Sequence, residues 1–574
     1  MAARRWDVPG WRTLRAYRRS WLPNDLAAGI VLTAVLVPVG MGYAEAAGLP
    51  AITGLYATIV PLVVYAILGP SRILVLGPDS SLAAIIAATV LPLAAGDNAR
   101  AVALAGGLAL ISGAFGIAFG LFRLGLLTDL LSKPIRIGYL NGIALTVLVS
   151  QLPKTFGFSV DADGLIDEAL AFIDGVASGK TVPAALGIGA LALAIMLVGR
   201  WRGMGALGIV VATVATTIVA SLMDLAARGL DVVGSLPSGL PSLSVPAVSI
   251  DDLVAMLAGG FAIAVVSMAD TSVLSRTFAM RSGMRVNQDQ ELLALGAANI
   301  GSAFAGGFPI SASTSRTPVA EAAGGRTQLT GVIGAAAIVA LLVLAPSLTA
   351  NLPQPTLGAI VMVACTSLVD LRGLVRLWQL RPSEFALSIA CFLGVAIVGV
   401  VAGIFIAVAL ALMAFFWRAW RPYSAVLGRI DGLKGYHDIT RYPEARRIRG
   451  LVLFRWDAPL FFANAEAFRE EIEAAIAAED QPTRWVVVAA EPVTDIDMTA
   501  ADMLEGLIAT LQAAGTQLRF AELKDPVKDR LRRYGLYEQL GNDAFFPTIG
   551  TAVAGYVAES GVDWVDWEER DSDV

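Results

Sequence analysis

Long apolar runs alternate with short polar breaks along the first 420 residues. Runs of about 20 residues, long enough to cross a bilayer as helices, lie at roughly 25–45, 51–68, 99–121, 124–152, 184–200 and 205–224, and again at 252–275, 290–307, 326–346, 352–370, 383–398 and 400–418. Two shorter apolar runs follow Gly77-Pro78 and Gly306-Gly307-Phe308-Pro309, at about 79–93 and 314–324. The pattern predicts about fourteen helical membrane segments in two series of seven.

The short run is the third segment of each series. Short segments interrupted by Gly or Pro at matching positions of two halves are typical of inverted-repeat transporters, with a binding site between half-helices near the middle of the membrane. We therefore predict a transmembrane domain over 22–420, with repeats at about 22–225 and 250–420. The alternative is that both short segments are buried irregular stretches without a ligand.

The pattern changes after the last apolar run. Short β-like runs lie at 450–455, 484–489 and 517–521, and runs with helical periodicity lie between them at 465–478 and 499–514. Strands that alternate with helices over about 110 residues indicate a small α/β domain. We place this domain at 446–560, after a linker at 421–445 and before an acidic, flexible tail at 561–574.

The composition supports a membrane protein rather than a soluble enzyme, with 56% hydrophobic and 16% charged residues. The charge is unevenly divided. The first 439 residues carry 28 Lys and Arg against 23 Asp and Glu, whereas the remaining 135 carry 14 against 25. The net charge of −6 is therefore the sum of +5 in the membrane part and −11 in the soluble part.

The basic residues predict the orientation. The segment 1–21 contains six arginines and one aspartate, and four basic residues follow the last apolar run: Arg418, Arg421, Arg429 and Lys434. Because basic residues mark the cytoplasmic side and an even number of spans returns the chain to it, we expect both termini to be cytoplasmic. The predicted location is the cell membrane, as a multi-pass protein.

Several kinds of chemistry are disfavoured. Cys365 and Cys391 lie inside apolar runs, and His437 is the single histidine, which argues against a disulfide framework, a metal site of Cys or His, and Cys/His nucleophiles. The soluble part is acidic, which argues against nucleic acid as a partner. It contains no nucleotide-binding fingerprint. We expect a transporter rather than an enzyme, with no cofactor.

Five blocks of sequence, in order, resemble the sulfate permease (SulP) family, whose animal relatives include pendrin and prestin. In the first repeat they are Gly42-Tyr-Ala-Glu-Ala-Ala-Gly-Leu-Pro50 with Thr53-Gly-Leu-Tyr56, and Leu68-Gly-Pro-Ser-Arg72 with Gly77-Pro-Asp-Ser-Ser81. In the second they are Asn287-Gln-Asp-Gln-Glu291 with Gly296-Ala-Ala-Asn299, and Gly306-Gly-Phe-Pro309 leading to Ser313-Thr-Ser-Arg316. The fifth, Pro459-Leu-Phe-Phe-Ala-Asn-Ala465, resembles the first strand-to-helix junction of the STAS domain.

The resemblance implies an α-helical membrane protein of about fourteen spans in two inverted repeats. In the family these form a mobile core domain and a gate domain, and the protein is a homodimer with cytoplasmic STAS domains. The implied activity is secondary active transport of an inorganic oxyanion, sulfate first, by movement of the core against the gate. Bicarbonate or dicarboxylate symport, anion exchange, an uncoupled anion channel, and a sensor whose STAS domain binds a cytoplasmic partner remain alternatives.

An anion at mid-membrane needs a positive potential, which two facing half-helix N-termini can supply. We expect these N-termini near Ser80 and Ser81 and near Ser313 and Ser315, where hydroxyls and amides replace part of the anion's hydration. Arg316 is expected to bind the anion, as the resemblance implies, or to pair with Glu321 or another acid.

Tyr43 matches the aromatic position that lines the site in the family, unless it is an ordinary core residue. The family usually has Pro-Gln before it, where this chain has Pro38-Val39; the missing amide removes one donor that an anion could use.

Two carboxylates at apolar positions, Glu45 and Asp270, are candidates for coupling. Protonation or Na⁺ binding at either would offset the charge of the anion, which is the electrostatic basis of symport. The alternatives are that Glu45 is a solvated residue at the membrane edge and that Asp270 is a structural acceptor. The sequence does not decide between H⁺ and Na⁺, the latter being expected near Asp270.

The soluble domain has one candidate regulatory residue. Thr499 matches the position that is phosphorylated in STAS proteins that antagonise anti-sigma factors. The simpler interpretation is that Asp497 or Thr499 caps the following helix.

Overall fold

The computed structural model describes residues 8–125, 132–160, 162, 164–204, 207–237, 239–241, 243–281, 285–313 and 316–570. Parts of several predicted features lie outside these ranges. They are residues 1–7 of the basic N-terminus, residues 126–131 and 205–206 of two predicted apolar runs, residues 314–315 of the second short run, including Ser315, and residues 571–574 of the tail. The chain divides into two compact units, Met1–Ala411 and Leu412–Val574.

The first unit is almost entirely helical. Its first half contains α1 Pro9–Arg15, α2 Leu22–Ala46, α3 Ala51–Leu68, α4 Ser80–Ala94, α5 Asn98–Leu121, α6 Lys133–Phe156, α7 Leu165–Ala177, α8 Pro183–Trp201 and α9 Leu207–Leu222. Its second half contains α10 Ile250–Arg281, α11 Gln288–Phe304, α12 Arg316–Ala322, α13 Leu329–Leu344, α14 Gln354–Cys365, α15 Leu371–Leu380, α16 Pro382–Leu393 and α17 Val400–Trp420, which runs into the second unit. A π-helical turn, Gly394–Val398, extends α16.

Each predicted membrane segment corresponds to one of these helices. Among the described residues, seven helices are long and apolar enough to cross a membrane, and five more are apolar but have 10–17 residues. The predicted short segments are α4, with 15 residues, and α12, with 7. The fold class predicted from the pattern is confirmed, whereas the number of spans remains a prediction.

Between the apolar runs of the two series lie two helices that the sequence did not predict, α7 and α15. Each follows the fifth segment of its series and precedes the sixth. Both are short and carry charged residues, so a search for uninterrupted apolar runs passes over them.

The helices of the first unit pack in two groups. Helices α2 to α5 contact α10, α11 and α13, and α12 contacts α2; these form the core group. Helices α6, α8, α9, α14 and α16 contact one another and form the gate group. Close packing inside the core group depends on glycine, because a Cβ on Gly54 of α3 would lie 1.9 Å from the carbonyl oxygen of Gly40 on α2. Such small residues let helix backbones approach in a membrane.

The second unit is an α/β domain. Its strands are β3 Ser424–Arg429, β4 Tyr436–Asp438, β5 Leu451–Trp456, β6 Trp485–Ala489, β7 Gln517–Ala521 and β8 Phe545–Phe546. Its helices are α18 Ala465–Ala477, α19 Met498–Ala513, α20 Asp525–Arg533, α21 Leu536–Leu540, α22 Ile549–Ser560 and α23 Trp567–Arg570. The sheet order is β4-β3-β5-β6-β7-β8, parallel from β5 to β8 and antiparallel at β3 and β4.

The three predicted strands and two predicted helices of this unit are present as β5, β6, β7, α18 and α19. Val486, Val487 and Val488 of β6 are all buried, since helices cover both faces of the sheet. This burial on both sides explains why the strands appear as continuous apolar runs in the sequence.

Two stretches differ from the prediction. The expected linker at 421–445 contains β3 and β4, which belong to the same sheet as β5. The expected flexible tail is ordered as far as Arg570, because Asp566 accepts two hydrogen bonds from Arg429, of 2.8 and 2.9 Å, and Trp564 lies under Arg446. Composition alone suggested mobility, whereas these specific contacts with the sheet fix both stretches.

Candidate functional site

Two short strands hold the two half-helices together. The strand β1, Leu76–Gly77, precedes α4, and β2, Ser311–Ala312, precedes α12. They pair antiparallel, Leu76 with Ala312 and Gly77 with Ser311. The amide of Ser313 donates to the carbonyl of Val75 at 3.0 Å, extending the ladder. The third segments of the two repeats therefore start from one shared bridge.

Arg316 lies at the centre of this bridge. The side chain is fully buried, and its Nη2 donates to the carbonyl oxygen of Pro78. Its Nε and Nη1 have no hydrogen-bond partner among the described residues. A Cβ on Gly77, which has a φ of 152°, would lie 2.8 Å from Nη1, so this glycine makes room for the guanidinium. Glu321 instead pairs with Arg281 at 3.1 Å, so it is not the partner of Arg316.

The start of α4 is capped by its own chain. Asp79 is the N-cap, and its Oδ1 accepts from the amide of Ser81 at 3.1 Å and from the Ser81 hydroxyl at 2.9 Å. The sequence predicts free amides here for an anion, but this cap occupies one of them. At the start of α12, the amide of Arg316 likewise donates to the Ser313 hydroxyl at 3.2 Å. One amide at the start of each half-helix is therefore already bonded within the chain.

Asp270 reaches the site from α10. Its Oδ2 lies 3.1 Å from the Ser81 hydroxyl oxygen, so one serine, with a single proton to donate, lies between the carboxyl groups of Asp270 and Asp79. Tyr43 of α2 is 2% exposed, faces Ser80, and lies within electrostatic range of Asp79 and Arg316. The structure thus brings together six of the residues selected from the sequence: Tyr43, Ser80, Ser81, Ser313, Arg316 and Asp270. Ser315 lies outside the described residues.

Two side chains that the sequence did not indicate face Asp270 from α6. Tyr139 is 1% exposed, and its hydroxyl has no partner among the described residues. Both Tyr139 and the half-buried Arg136 lie within electrostatic range of Asp270. The apolar run that predicted α6 does not show which of its faces is turned to the core group, so neither residue carried a signal in the sequence.

The fixed charges of the site nearly cancel. Arg316 and Arg136 supply two positive charges, and Asp79 and Asp270 supply two negative ones when ionised. Among the described residues no group of three or more His, Cys, Asp or Glu side chains is arranged to hold a metal ion. The chemistry of the site is therefore that of hydroxyls, carboxylates and one buried guanidinium, which suits binding rather than bond cleavage.

Glu45 is not part of this group. Its carboxylate lies 3.9 Å from Nζ of Lys154 on α6, and the same Nζ donates to the backbone carbonyl of Glu45. Both side chains are partly exposed, at 20% and 29%. Glu45 therefore joins α2 of the core group to α6 of the gate group.

Thr499 lies in the second unit, at the start of α19. The N-cap is Asp497, whose Oδ1 accepts from the amide of Ala500 at 2.9 Å. The sequence left open whether Asp497 or Thr499 caps the helix, and in the structure the N-cap is Asp497. Thr499 itself is exposed in the first turn.

Comparison with known proteins identifies the family to which this chain belongs. The sulfate permease family model matches residues 22–391, and the STAS domain model matches residues 442–552. A probable sulfate transporter of Mycobacterium tuberculosis is 40% identical over 549 residues, which cover 96% of this chain and 98% of that protein. Probable sulfate transporter 4.2 of Arabidopsis thaliana is 30% identical, over 95% of this chain and 83% of that one.

A solved structure shares the fold. The murine solute carrier 26 family member A9 anion transporter, in its inward-facing state, aligns with a TM-score of 0.88 at 22% identity, covering 96% of this chain and 94% of that one. This likeness covers both the helical membrane unit and the α/β domain. With the family model matching more than half of the sequence, the chain belongs to the sulfate permease family, as a multi-pass membrane transporter with a C-terminal STAS domain.

Proposed function

We propose that this protein imports an inorganic oxyanion, with sulfate as the first candidate, together with H⁺ or Na⁺. The observation that carries the proposal is Arg316, a fully buried guanidinium with two nitrogens that lack a partner among the described residues. A buried charged group without its full set of hydrogen bonds is costly. An oxyanion that accepts from Nε and Nη1 would remove that cost, and planar guanidinium donors suit such oxygens.

The need for a co-transported cation follows from the charges. Asp79 and Asp270 already offset Arg316 and Arg136, so a divalent anion would leave about two uncompensated negative charges in a site of low dielectric. Protonation of a carboxylate, or Na⁺ held by its oxygens, reduces that excess. Asp270 is the better placed of the two proposed coupling residues, because Glu45 is engaged by Lys154.

The roles of the remaining residues follow from their positions. Arg316 binds the anion, and the hydroxyls of Ser80, Ser81, Ser313 and Tyr43, with Ser315, replace part of its hydration. The described residues among these belong to the core group. Tyr139 and Arg136 close the site from the gate group. Transport then consists of a movement of the core group against the gate group, which carries the site from one side of the membrane to the other.

The wider setting is part of the same proposal. The protein acts in the cell membrane as a homodimer with both termini in the cytoplasm. The relatives called probable sulfate transporters support the choice of sulfate. The STAS domain binds a cytoplasmic partner or the second protomer, and Thr499, exposed at the start of α19, is its candidate site of phosphorylation.

Uptake of labelled sulfate into proteoliposomes tests the proposal. We expect saturable uptake that an inward H⁺ or Na⁺ gradient accelerates and drives to accumulation. Flux that neither saturates nor responds to either gradient would identify an uncoupled channel. Uptake that requires an anion inside the vesicle, with no effect of the gradients, would identify an exchanger.

A competition panel identifies the anion. Unlabelled sulfate, bicarbonate, chloride and a dicarboxylate are added in turn at equal concentration to the sulfate uptake assay. Sulfate should compete most strongly if the proposal is correct. Stronger competition by bicarbonate or by the dicarboxylate would change the substrate while leaving the anion site in place. The Arg316→Gln protein in the same vesicles measures the background.

A further inference from the structure

The helix α15 presents an apolar stripe to its surroundings. Leu371, Val375 and Trp378 are exposed at 64%, 54% and 62%. Their spacing of four and three residues places them on one face of the helix. The side turned to the protein carries Leu374 and Leu377, which are half-buried. One apolar face of α15 packs on the protein, and a neighbouring apolar face is exposed. The exposed face is therefore available to contact something outside the described residues.

Basic residues flank this stripe. Arg372 and Arg376, one helical turn apart, are exposed and make no ion pair with any described residue, and Arg381 follows the helix. The sequence of α15 contains no acidic residue. An apolar face bordered by arginines is typical of a helix that lies in the plane of a membrane interface.

The orientation of the stripe is fixed by contacts at both ends of α15. The Asp370 carboxylate accepts from the amide of Gly373 at 2.7 Å, and the amide of Asp370 donates to Oδ1 of Asn141 on α6 at 2.9 Å. At the other end, the rings of Trp378 and Phe385 meet edge to face at 4.9 Å. The helix is therefore tied to α6 and α16 and cannot rotate to bury its exposed stripe.

The helix α7 occupies the matching place in the first repeat and carries the opposite charge. It also exposes large apolar residues, with Ile166 at 56%, Leu170 at 60% and Ile173 at 61%. Its charged residues are all acidic: Asp167, Glu168 and Asp174. Matching places in inverted repeats lie on opposite faces of a membrane, and basic residues favour the cytoplasmic face. Charge therefore assigns α15 to the cytoplasmic leaflet.

We propose that α15 lies in the cytoplasmic membrane interface and binds anionic phospholipid headgroups through Arg372 and Arg376. Leu371, Val375 and Trp378 enter the acyl region beneath the headgroups. The cytoplasmic leaflet carries the negative surface potential that attracts such residues. Because α15 is bonded to α6 through Asp370 and Asn141, the bound lipid also anchors a helix of the gate group.

Quenching of tryptophan fluorescence by brominated lipids tests this proposal on the full-length protein. The protein is reconstituted in phosphatidylcholine containing brominated phosphatidylglycerol or, separately, brominated phosphatidylcholine. The chain has 11 tryptophans, so the signal of Trp378 is the difference between each protein and its Trp378→Phe counterpart. We expect brominated phosphatidylglycerol to quench Trp378 at a much lower mole fraction than brominated phosphatidylcholine.

Two double variants show whether α15 causes that preference. In Arg372→Gln/Arg376→Gln the preference should fall by roughly tenfold or more, since each basic residue at an anionic surface contributes about fivefold. The matched control, Arg123→Gln/Arg202→Gln, removes two exposed arginines that follow α5 and α8 and should keep the preference. The charge-retaining variant Arg372→Lys/Arg376→Lys should also keep it. If the double Gln variant does not fold, the single variants Arg372→Gln and Arg376→Gln replace it, and each should lower the preference by about fivefold.

Three results would overturn the proposal. One is that neither lipid quenches Trp378, which means that protein, from a partner or a second copy, covers the stripe. Another is that both lipids quench it equally in the unmodified protein. The third is that the control pair loses the preference as strongly as the α15 pair, which would assign the effect to overall charge.

Discussion

Nζ of Lys154 lies 3.9 Å from the carboxylate of Glu45 and also donates to the backbone carbonyl of the same residue. One lysine of the gate group therefore makes two contacts with the end of a core-group helix. The proposed movement of one group against the other has to break both contacts in every cycle. We therefore expect the Glu45–Lys154 pair to stabilise one of the two end conformations of the transport cycle relative to the other.

Mutations can separate the ion pair from the hydrogen bond to the backbone carbonyl. Glu45→Gln removes the ion pair but keeps the backbone acceptor, whereas Lys154→Gln removes both contacts. Since a partly exposed ion pair contributes about 0.3–1 kcal/mol, we expect Glu45→Gln to change the KM or Vmax of sulfate uptake by about two- to fivefold. Lys154→Gln should change it further in the same direction. Effects of opposite sign, or a double variant whose effects simply add, would show that the residues act separately.

Arg316 should determine anion affinity. Loss of its charge-assisted hydrogen bonds, worth about 1.5–3 kcal/mol each, predicts that Arg316→Gln weakens sulfate binding by about 100-fold or more. Arg316→Lys keeps the charge but loses the planar donors, so it should bind with intermediate affinity. Isothermal titration of the purified variants with sulfate measures both. Affinity equal to that of the unmodified protein in Arg316→Gln would remove this residue from the site.

Asp270 should carry the coupling. Asp270→Asn keeps the size of the side chain and an oxygen that can accept from Ser81, but it can neither gain a proton nor balance a cation. We expect sulfate exchange to continue in this variant while accumulation driven by an H⁺ or Na⁺ gradient is lost. Glu45→Gln serves as the comparison and should still accumulate sulfate. Retained accumulation in Asp270→Asn, with its loss in Glu45→Gln, would reverse the assignment.

Tyr139 offers a test that distinguishes function from structure. Its buried hydroxyl has no partner among the described residues, so Tyr139→Phe should leave the thermal stability unchanged or slightly raised. The same change should weaken sulfate binding or coupling by about threefold to tenfold if the hydroxyl completes the occupied site.

Tyr65 provides the matched control for this test, because its hydroxyl donates to the Glu291 carboxylate at 2.6 Å in the core group. Tyr65→Phe should lower the melting temperature, since it leaves a buried carboxylate with one bond fewer. A loss of stability in Tyr139→Phe, with normal transport, would make Tyr139 a packing residue only.

The ion pair that orders the C-terminal segment should depend on pH. Partial burial alone would raise the pKa of Asp566, but the hydrogen bond from Arg429 and the amide of Glu568 outweigh it and lower that pKa. The carboxylate is thus more easily ionised in the folded state than in the unfolded one. Its contribution, about 1 kcal/mol, is present at neutral pH and is lost as the pH falls below about 4.

Hydrogen exchange of residues 564–568 in the full-length protein measures this contribution. At neutral pH, Asp566→Asn should exchange faster than the unmodified protein, and the difference should shrink as the pH is lowered through the titration of the carboxylate. The neighbouring Asp563 is exposed, so Asp563→Asn should behave like the unmodified protein at every pH. A difference that does not vary with pH would assign the effect to packing.

The sequence predicted the elements better than it predicted their contacts. The lengths of the apolar runs located the membrane helices, because a helix that spans a bilayer needs about 20 apolar residues. The run of valines in β6 indicated a strand that is buried on both faces. The composition could not show that Arg429 and Asp566, 137 positions apart, would pair and order the tail. It could not show either that Asp79 would cap α4 in place of the anion, or that Tyr139 would face Asp270. These depend on side-chain direction and on contacts between distant segments.

The bridge between Leu76–Gly77 and Ser311–Ala312 has a consequence for how such a chain could arise. Among the described residues, each of these strands pairs with the strand of the other repeat. A half-length chain would have to meet a second copy inserted in the opposite orientation before this bridge could form. Because both strands belong to one chain, the pairing does not depend on the concentration of the protein in the bilayer, and a cross-link between residues 76 and 312 should leave transport intact.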